Sequence, residues 1–141
     1  DYRKALEWFA KAAEKGDVSA QIMLAVMYLE GRGIEQNYEQ ALYWLTKAAE
    51  QNDPFAQVNL ALMYIQGQGT AVDTVAAYQW AFLATKTDNA RTKKAAEEVC
   101  ELLVTQMSPD QINKAQENAR RWIAEKHRAP GLFETDINLI D

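Results

Sequence analysis

Residues 20–50 read AQIMLAVMYLEGRGIEQNYEQALYWLTKAAE, and residues 56–86 read AQVNLALMYIQGQGTAVDTVAAYQWAFLATK. The second stretch restates the first 36 positions later. Leu24 returns as Leu60, Ala25 as Ala61 and Tyr28 as Tyr64. Gly31 and Gly33 return as Gly67 and Gly69, and Trp44 as Trp80. A third partial copy precedes them, with Trp8 at the same interval before Trp44. Self-similarity at a fixed period of roughly 20–50 residues marks a stacked repeat array. Such arrays bury a core between neighbouring units and present an extended surface, usually for binding.

Within each unit the apolar residues recur at helical spacing, and period-two alternation is absent over any useful length. The expected fold is therefore all-α: a right-handed α–α superhelix, or solenoid, of stacked hairpins with about seven helices. Asp17, Asn37, Asp53 and Asp73 stand where helix N-caps are needed, and Gly16 stands at a helix end, where a left-handed residue stops the helix. Gln40, three residues after Asn37, is expected to complete a capping box. Ser108-Pro109-Asp110-Gln111 reads as a full helix start, with the proline at the position where its missing N–H costs nothing. The solenoid is expected over residues 1–126: a half repeat at 1–17, repeats at 18–53 and 54–88, and divergent capping helices at 89–126. Residues 127–141 are expected to form an extended tail, whose Leu132, Phe133, Ile137, Leu139 and Ile140 suit docking into a groove in cis or on a neighbouring molecule. Because residue 1 falls inside a unit, the intact array is expected to be longer.

Tyr2, Tyr38, Ala41, Trp44, Lys47, Ala48, Ala49 and Glu50, with the Gly-x-Gly turns, form a pattern that resembles the Sel1-like repeat family. That family is related to the tetratricopeptide repeat and has a longer, glycine-bearing turn. The resemblance covers about residues 1–88. The second copy departs from it: Thr74 stands where Tyr38 did, Gln79 replaces Tyr43, and the Lys-Ala-Ala-Glu run is lost. The resemblance implies an adaptor that holds other proteins together, commonly in bacterial envelopes and signalling. Localisation in a bacterial periplasm, envelope or cytoplasm is all it offers.

The formal net charge is −5. Nucleic-acid binding needs a basic face to displace counterions from phosphates, so no nucleic-acid partner is expected. No apolar run is long enough for membrane insertion. A single cysteine, Cys100, excludes an internal disulfide, and its place on an apolar stripe suits packing. The serines are Ser19 and Ser108, and neither is followed three residues on by lysine, since Ile22 and Gln111 stand there. The Gly-x-Gly turns follow helices, not strands, and lack the third glycine of a dinucleotide fingerprint. His127 ends a helix, where the dipole accounts for it. Glu97, Glu98 and Glu101 lie beside Lys93 and Lys94 and read as solvated pairs. No catalytic, cofactor-binding or metal site is expected, and an enzyme is the least favoured reading.

The candidate partner-binding face belongs to the first helix of each hairpin. With Leu24 and Tyr28 facing inward, Ser19, Ile22, Val26, Leu29 and Glu30 fall on another stripe, as do Phe55, Val58, Leu62, Ile65 and Gln66. Much of that stripe is apolar, which implies that something covers it: a protein or peptide, a neighbouring copy, or the tail. Trp8, Leu24, Ala25, Tyr28, Gly31, Gly33, Trp44, Leu60, Ala61, Tyr64, Gly67, Gly69 and Trp80 are expected to be structural. The tryptophans are expected to fill the gaps between hairpins. Self-association is the rival reading, through the face of the first helix that carries Ala5, Phe9 and Ala12.

Overall fold

The computed structural model describes residues 2–127. Among these there are seven helices and no strand: α1 (Tyr2–Glu14), α2 (Val18–Glu30), α3 (Tyr38–Glu50), α4 (Pro54–Gln66), α5 (Thr74–Ala84), α6 (Ala90–Val104) and α7 (Pro109–Lys126). They form an all-α right-handed superhelix of antiparallel pairs. Helices α2, α4 and α6 make one layer, and α1, α3, α5 and α7 make the other. The proposed tail lies outside the described residues, apart from His127, which caps α7.

Short polar side chains start the helices. Asp17, Asn37, Asp53, Asp73 and Asn89 each accept a backbone N–H three residues on, at 2.8–3.1 Å. Each removes one of the unpaired donors at a helix N-terminus. Ser108 and Gln111 close the reciprocal capping box. At Asn37 the expected box does not form: its N–H donates instead to the Tyr28 carbonyl at 3.0 Å, across the turn. Asp73 makes the same bond to Tyr64 one repeat later, also at 3.0 Å. The hairpin turn is thus tied back to the preceding helix, and that bond removes the donor a capping box needs.

The Gly-x-Gly turns need glycine for two reasons. Gly67 and Gly69 have φ values of +69° and +75°. A Cβ on Gly69 would also stand 2.6 Å from the Tyr38 carbonyl oxygen, and one on Gly33 would stand 2.2 Å from Tyr2 Cβ. Each turn therefore sits directly on the start of the preceding helix of the outer layer. At the other end of each unit, Gly16 takes φ +97° and its counterpart Asn52 takes φ +68°. Asparagine is the side chain best able to replace glycine in that region.

The core is a repeated row of small residues around buried leucines. Ala25, Ala41, Ala48, Ala49, Ala56, Leu45, Leu60 and Met63 form one cluster. Ala61, Ala77, Ala81, Val99, Leu103 and Ala115 form the next, with Tyr78 and Met107. Ala25 and Ala61 are completely enclosed, as expected where two helices approach closely. Trp44 packs between this first cluster and the Ala13, Ala20, Leu24 cluster one unit earlier. Trp80 repeats the arrangement between the next two clusters, and its ring meets Trp122 edge-on at 5.8 Å. Trp8 departs from the expectation. It is 76% exposed: among the described residues no helix covers that side of α1.

Candidate binding surface

Positions on α2 and α4 divide into two rows once the neighbouring helices are in place. Ile22 and Leu29 are half-buried against the core shared with α3 and α4. Their counterparts one repeat later are Val58 and Ile65. Ile65 packs on the cluster shared with α5 and α6. Val58 is only 7% exposed and forms a small cluster with Ala84 and Ala96. This corrects the expected stripe: Val58 lies beneath α5 and α6 and offers nothing to a partner. Sequence periodicity cannot separate the two rows, because both are apolar and a helix face is defined only by what packs on it.

The open row holds Ser19, Val26 and Glu30 on α2, and Phe55, Leu62 and Gln66 on α4. Phe55 is 50% exposed and Leu62 is 38% exposed, while Val26 is half-buried. Two members of this row, Met23 and Asn59, were missed in the sequence, although each lies four residues after Ser19 or Phe55. Met23 is exposed, and Asn59 donates its side-chain N–H to the Phe55 carbonyl at 2.8 Å. The row continues on α6 as Arg91, Ala95, Glu98 and Leu102, of which Leu102 is again exposed and apolar. Methionine, aromatic and aliphatic side chains thus lie along three successive helices, rimmed by Glu30, Gln66, Arg91 and Glu98.

The residues considered for chemistry do not come together. Ser108 is occupied in its capping box, and Ser19 is exposed at the start of α2. No group of three or more His, Cys, Asp or Glu residues converges as a metal ligand set among the described residues. Cys100 is half-buried against the α5–α6–α7 core, and burial, reinforced by Glu97 and Glu101, pushes its thiol up to about 11. A reactive cysteine needs the opposite shift. Lys93 and Lys94 do not close ion pairs with Glu97 or Glu98; the ion pair seen among the described residues joins Arg32 to Glu30 at 2.6 Å. A recess of about 750 Å³ between α5 and α6 is bordered by Phe82, Lys86 and Cys100. Phe82 stacks on Tyr78 at 6.1 Å, and Lys86 Nζ lies 4.5 Å from its ring centre. No described helix is long and apolar enough to cross a membrane.

An all-α repeat solenoid with an open side-chain row belongs to the class of helical-repeat proteins. The Sel1 repeat pattern matches residues 1–17, 18–53 and 54–86. The chain belongs to the Sel1 repeat family, whose members are typically protein-interaction scaffolds. No curated protein matches the chain. Among solved structures, it is similar to a protective antigen of uropathogenic Escherichia coli strains that displays an SLR fold. The two share 30% identity and a TM-score of 0.80 over 94% of this chain and 30% of that one. It is also similar to a Sel1 repeat protein from Oxalobacter formigenes, at 36% identity and a TM-score of 0.59, over 62% of this chain and 36% of that one. The matched region therefore spans about a third of the length of either bacterial protein.

Proposed function

We propose that this solenoid is a non-catalytic scaffold that binds a protein or peptide along the α2–α4–α6 face. The observation that carries the reading is the open row itself. Phe55 and Leu62 remain exposed on it, aligned with the exposed Met23 and Leu102 on the neighbouring helices of the same layer. A few aromatic and aliphatic anchors inside a polar rim supply most of the affinity of a typical protein interface. A helix or extended segment laid across successive helices would meet Met23 and Val26, then Phe55 and Leu62, then Leu102.

The test is a pull-down from native lysate with the wild-type chain and with the Met23→Asp, Leu62→Asp double variant. Both residues face solvent, so the double variant is expected to keep its helicity and melting temperature while losing the partner. Equal recovery of the same partner by both proteins contradicts the proposal.

One observation favours a second reading, self-association through α1. Trp8 occupies the position that Trp44 and Trp80 use to reach an adjoining hairpin, yet it is exposed. Another repeat seated on this helix would enclose it as Trp44 is enclosed. Light scattering over a concentration series would show mass growth in the wild-type chain and none in Trp8→Asp. A monomer at every concentration rules this reading out.

A further inference from the structure

Two equivalent helices of the outer layer are covered differently. Helix α7 lies across α5. Asn118 donates its side-chain N–H to Gln79 at 3.4 Å, and Gln116 donates to the Tyr78 hydroxyl at 3.0 Å. Trp122 meets Trp80 edge-on at 5.8 Å. Leu83, one turn further on, is only 6% exposed. One repeat earlier, Tyr43, Trp44 and Lys47 on α3 stand at the places of Gln79, Trp80 and Leu83. Tyr43 is 51% exposed, its ring edge-on to Trp44 at 5.0 Å, with Lys47 Nζ 5.4 Å from its centre.

Beside this aromatic pair is a recess of about 430 Å³, bordered by Glu14, Tyr43, Trp44, Lys47, Glu50 and Lys126. Lys126 is the last residue of α7. The chain that follows therefore leaves α7 at the rim of the recess. Residues 128–141 lie outside the described residues, and in sequence they carry Leu132 and Phe133. Phe133 stands seven residues beyond Lys126, a reach of up to about 23 Å, or twice the width of a helix.

We propose that the C-terminal segment of the chain docks in this recess in cis, with Leu132 and Phe133 against Tyr43 and Trp44. The segment then does for α3 what α7 does for α5. Lys47 and Lys126 on the rim are offset by Glu14 and Glu50, so apolar and ring contact selects the occupant, not charge. Tethering favours this segment over a free partner that makes the same contacts, because a short link holds it at an effective concentration of about millimolar. Trp8 lies about 140° around α1 from Ala13, which lines the recess. The open row of α2, α4 and α6 belongs to the other layer. This contact and the two surfaces proposed above therefore stand or fall separately.

Two measurements on the full chain test the contact. Nuclear Overhauser contacts from the Phe133 ring to Tyr43 and Trp44 are expected in samples that light scattering shows to be monomeric. Chymotrypsin cleavage after Phe133, followed by mass spectrometry, is expected to be about three- to tenfold slower in the wild type than in Tyr43→Gln. Only the undocked segment is cut, and losing about 30–60 Å² of apolar contact changes its population by that factor. Tyr43→Gln gives α3 the residue that α5 already carries as Gln79, so the fold is expected to persist. Equal cleavage rates in the two folded proteins overturn the proposal. So does the absence of Overhauser contacts in the monomer, or their appearance only where the mass has doubled, which assigns the recess to a second copy. The Overhauser contacts decide the matter even where Tyr43→Gln fails to fold.

Discussion

Trp8 and Trp44 hold the same place in the repeat, and the fold predicts that replacing them has different consequences. Trp44 packs between two clusters, touching the Ala13–Ala20–Leu24 group on one side and the Ala25–Ala41–Leu60 group on the other. An enclosed tryptophan removes about 200 Å² from water. At about 25 cal/mol per Å², that is about 5 kcal/mol for full burial. Trp44 is half-buried, so about 3 kcal/mol is expected for Trp44→Ala once the residual cavity is included, at the low end of the range for core tryptophans. Trp8 is 76% exposed, so the same arithmetic leaves about 1 kcal/mol or less for Trp8→Ala. For a domain of this size, about 4 °C of melting temperature corresponds to each kcal/mol. Thermal melts followed by circular dichroism, at a concentration where the chain is monomeric, are expected to fall by roughly 12 °C for Trp44→Ala and by less than about 4 °C for Trp8→Ala. Against a total stability of about 5–15 kcal/mol, the first change alone leaves little margin. Equal shifts from the two variants would refute the claim that these tryptophans act as wedges between hairpins.

Gly69→Ala combines a left-handed φ of +75° with a Cβ 2.6 Å from a backbone oxygen; urea denaturation should show a loss of about 2–3 kcal/mol, above the roughly 1–2 kcal/mol of the φ penalty alone. Val58→Asp places a carboxylate beneath α5 and α6 and should abolish cooperative unfolding, whereas Leu62→Asp on the open row should stay within about 0.5 kcal/mol of wild type by the same assay. The Cys100 thiol, raised from about 9 to about 11, holds its proton in the folded state after the unfolded state has lost it. The unfolded chain then binds fewer protons, so stability should fall between pH 9 and 11 and be insensitive to this group below pH 9. Cys100→Ala should flatten that slope in pH-dependent denaturation; part of it remains, because burial and Asp73 also raise the Tyr64 phenol. An unchanged slope would place the thiol in contact with water.

The period of 36, the caps and the glycine turns were legible because each is a local rule. Asp17, Asp53 and Asp73 cap helices through bonds that span three residues. Gly31, Gly33, Gly67 and Gly69 stand where the backbone turns left-handed. The enclosed Ala25 and Ala61 were legible as well, since a small residue repeated on an apolar helix face marks a close helix approach. The candidate surface was less legible. Ser19, Val26, Phe55 and Leu62 lie on the open row, but Met23 and Asn59 were passed over and Val58 was placed on the wrong side of its helix.

The amino-acid order alone determined that this chain is a helical repeat, where its units begin, and which residues turn it, since those properties depend on neighbours close in sequence. Only the tertiary arrangement decided which of two apolar rows is covered, and that Trp8 is exposed while Trp44 is half-buried between two clusters. It also revealed that α7 covers Trp80 and Gln79 on α5 while Tyr43 on α3 stays exposed. Burial depends on helices that approach from elsewhere in the chain, and residues 36 positions apart with the same identity meet different neighbours.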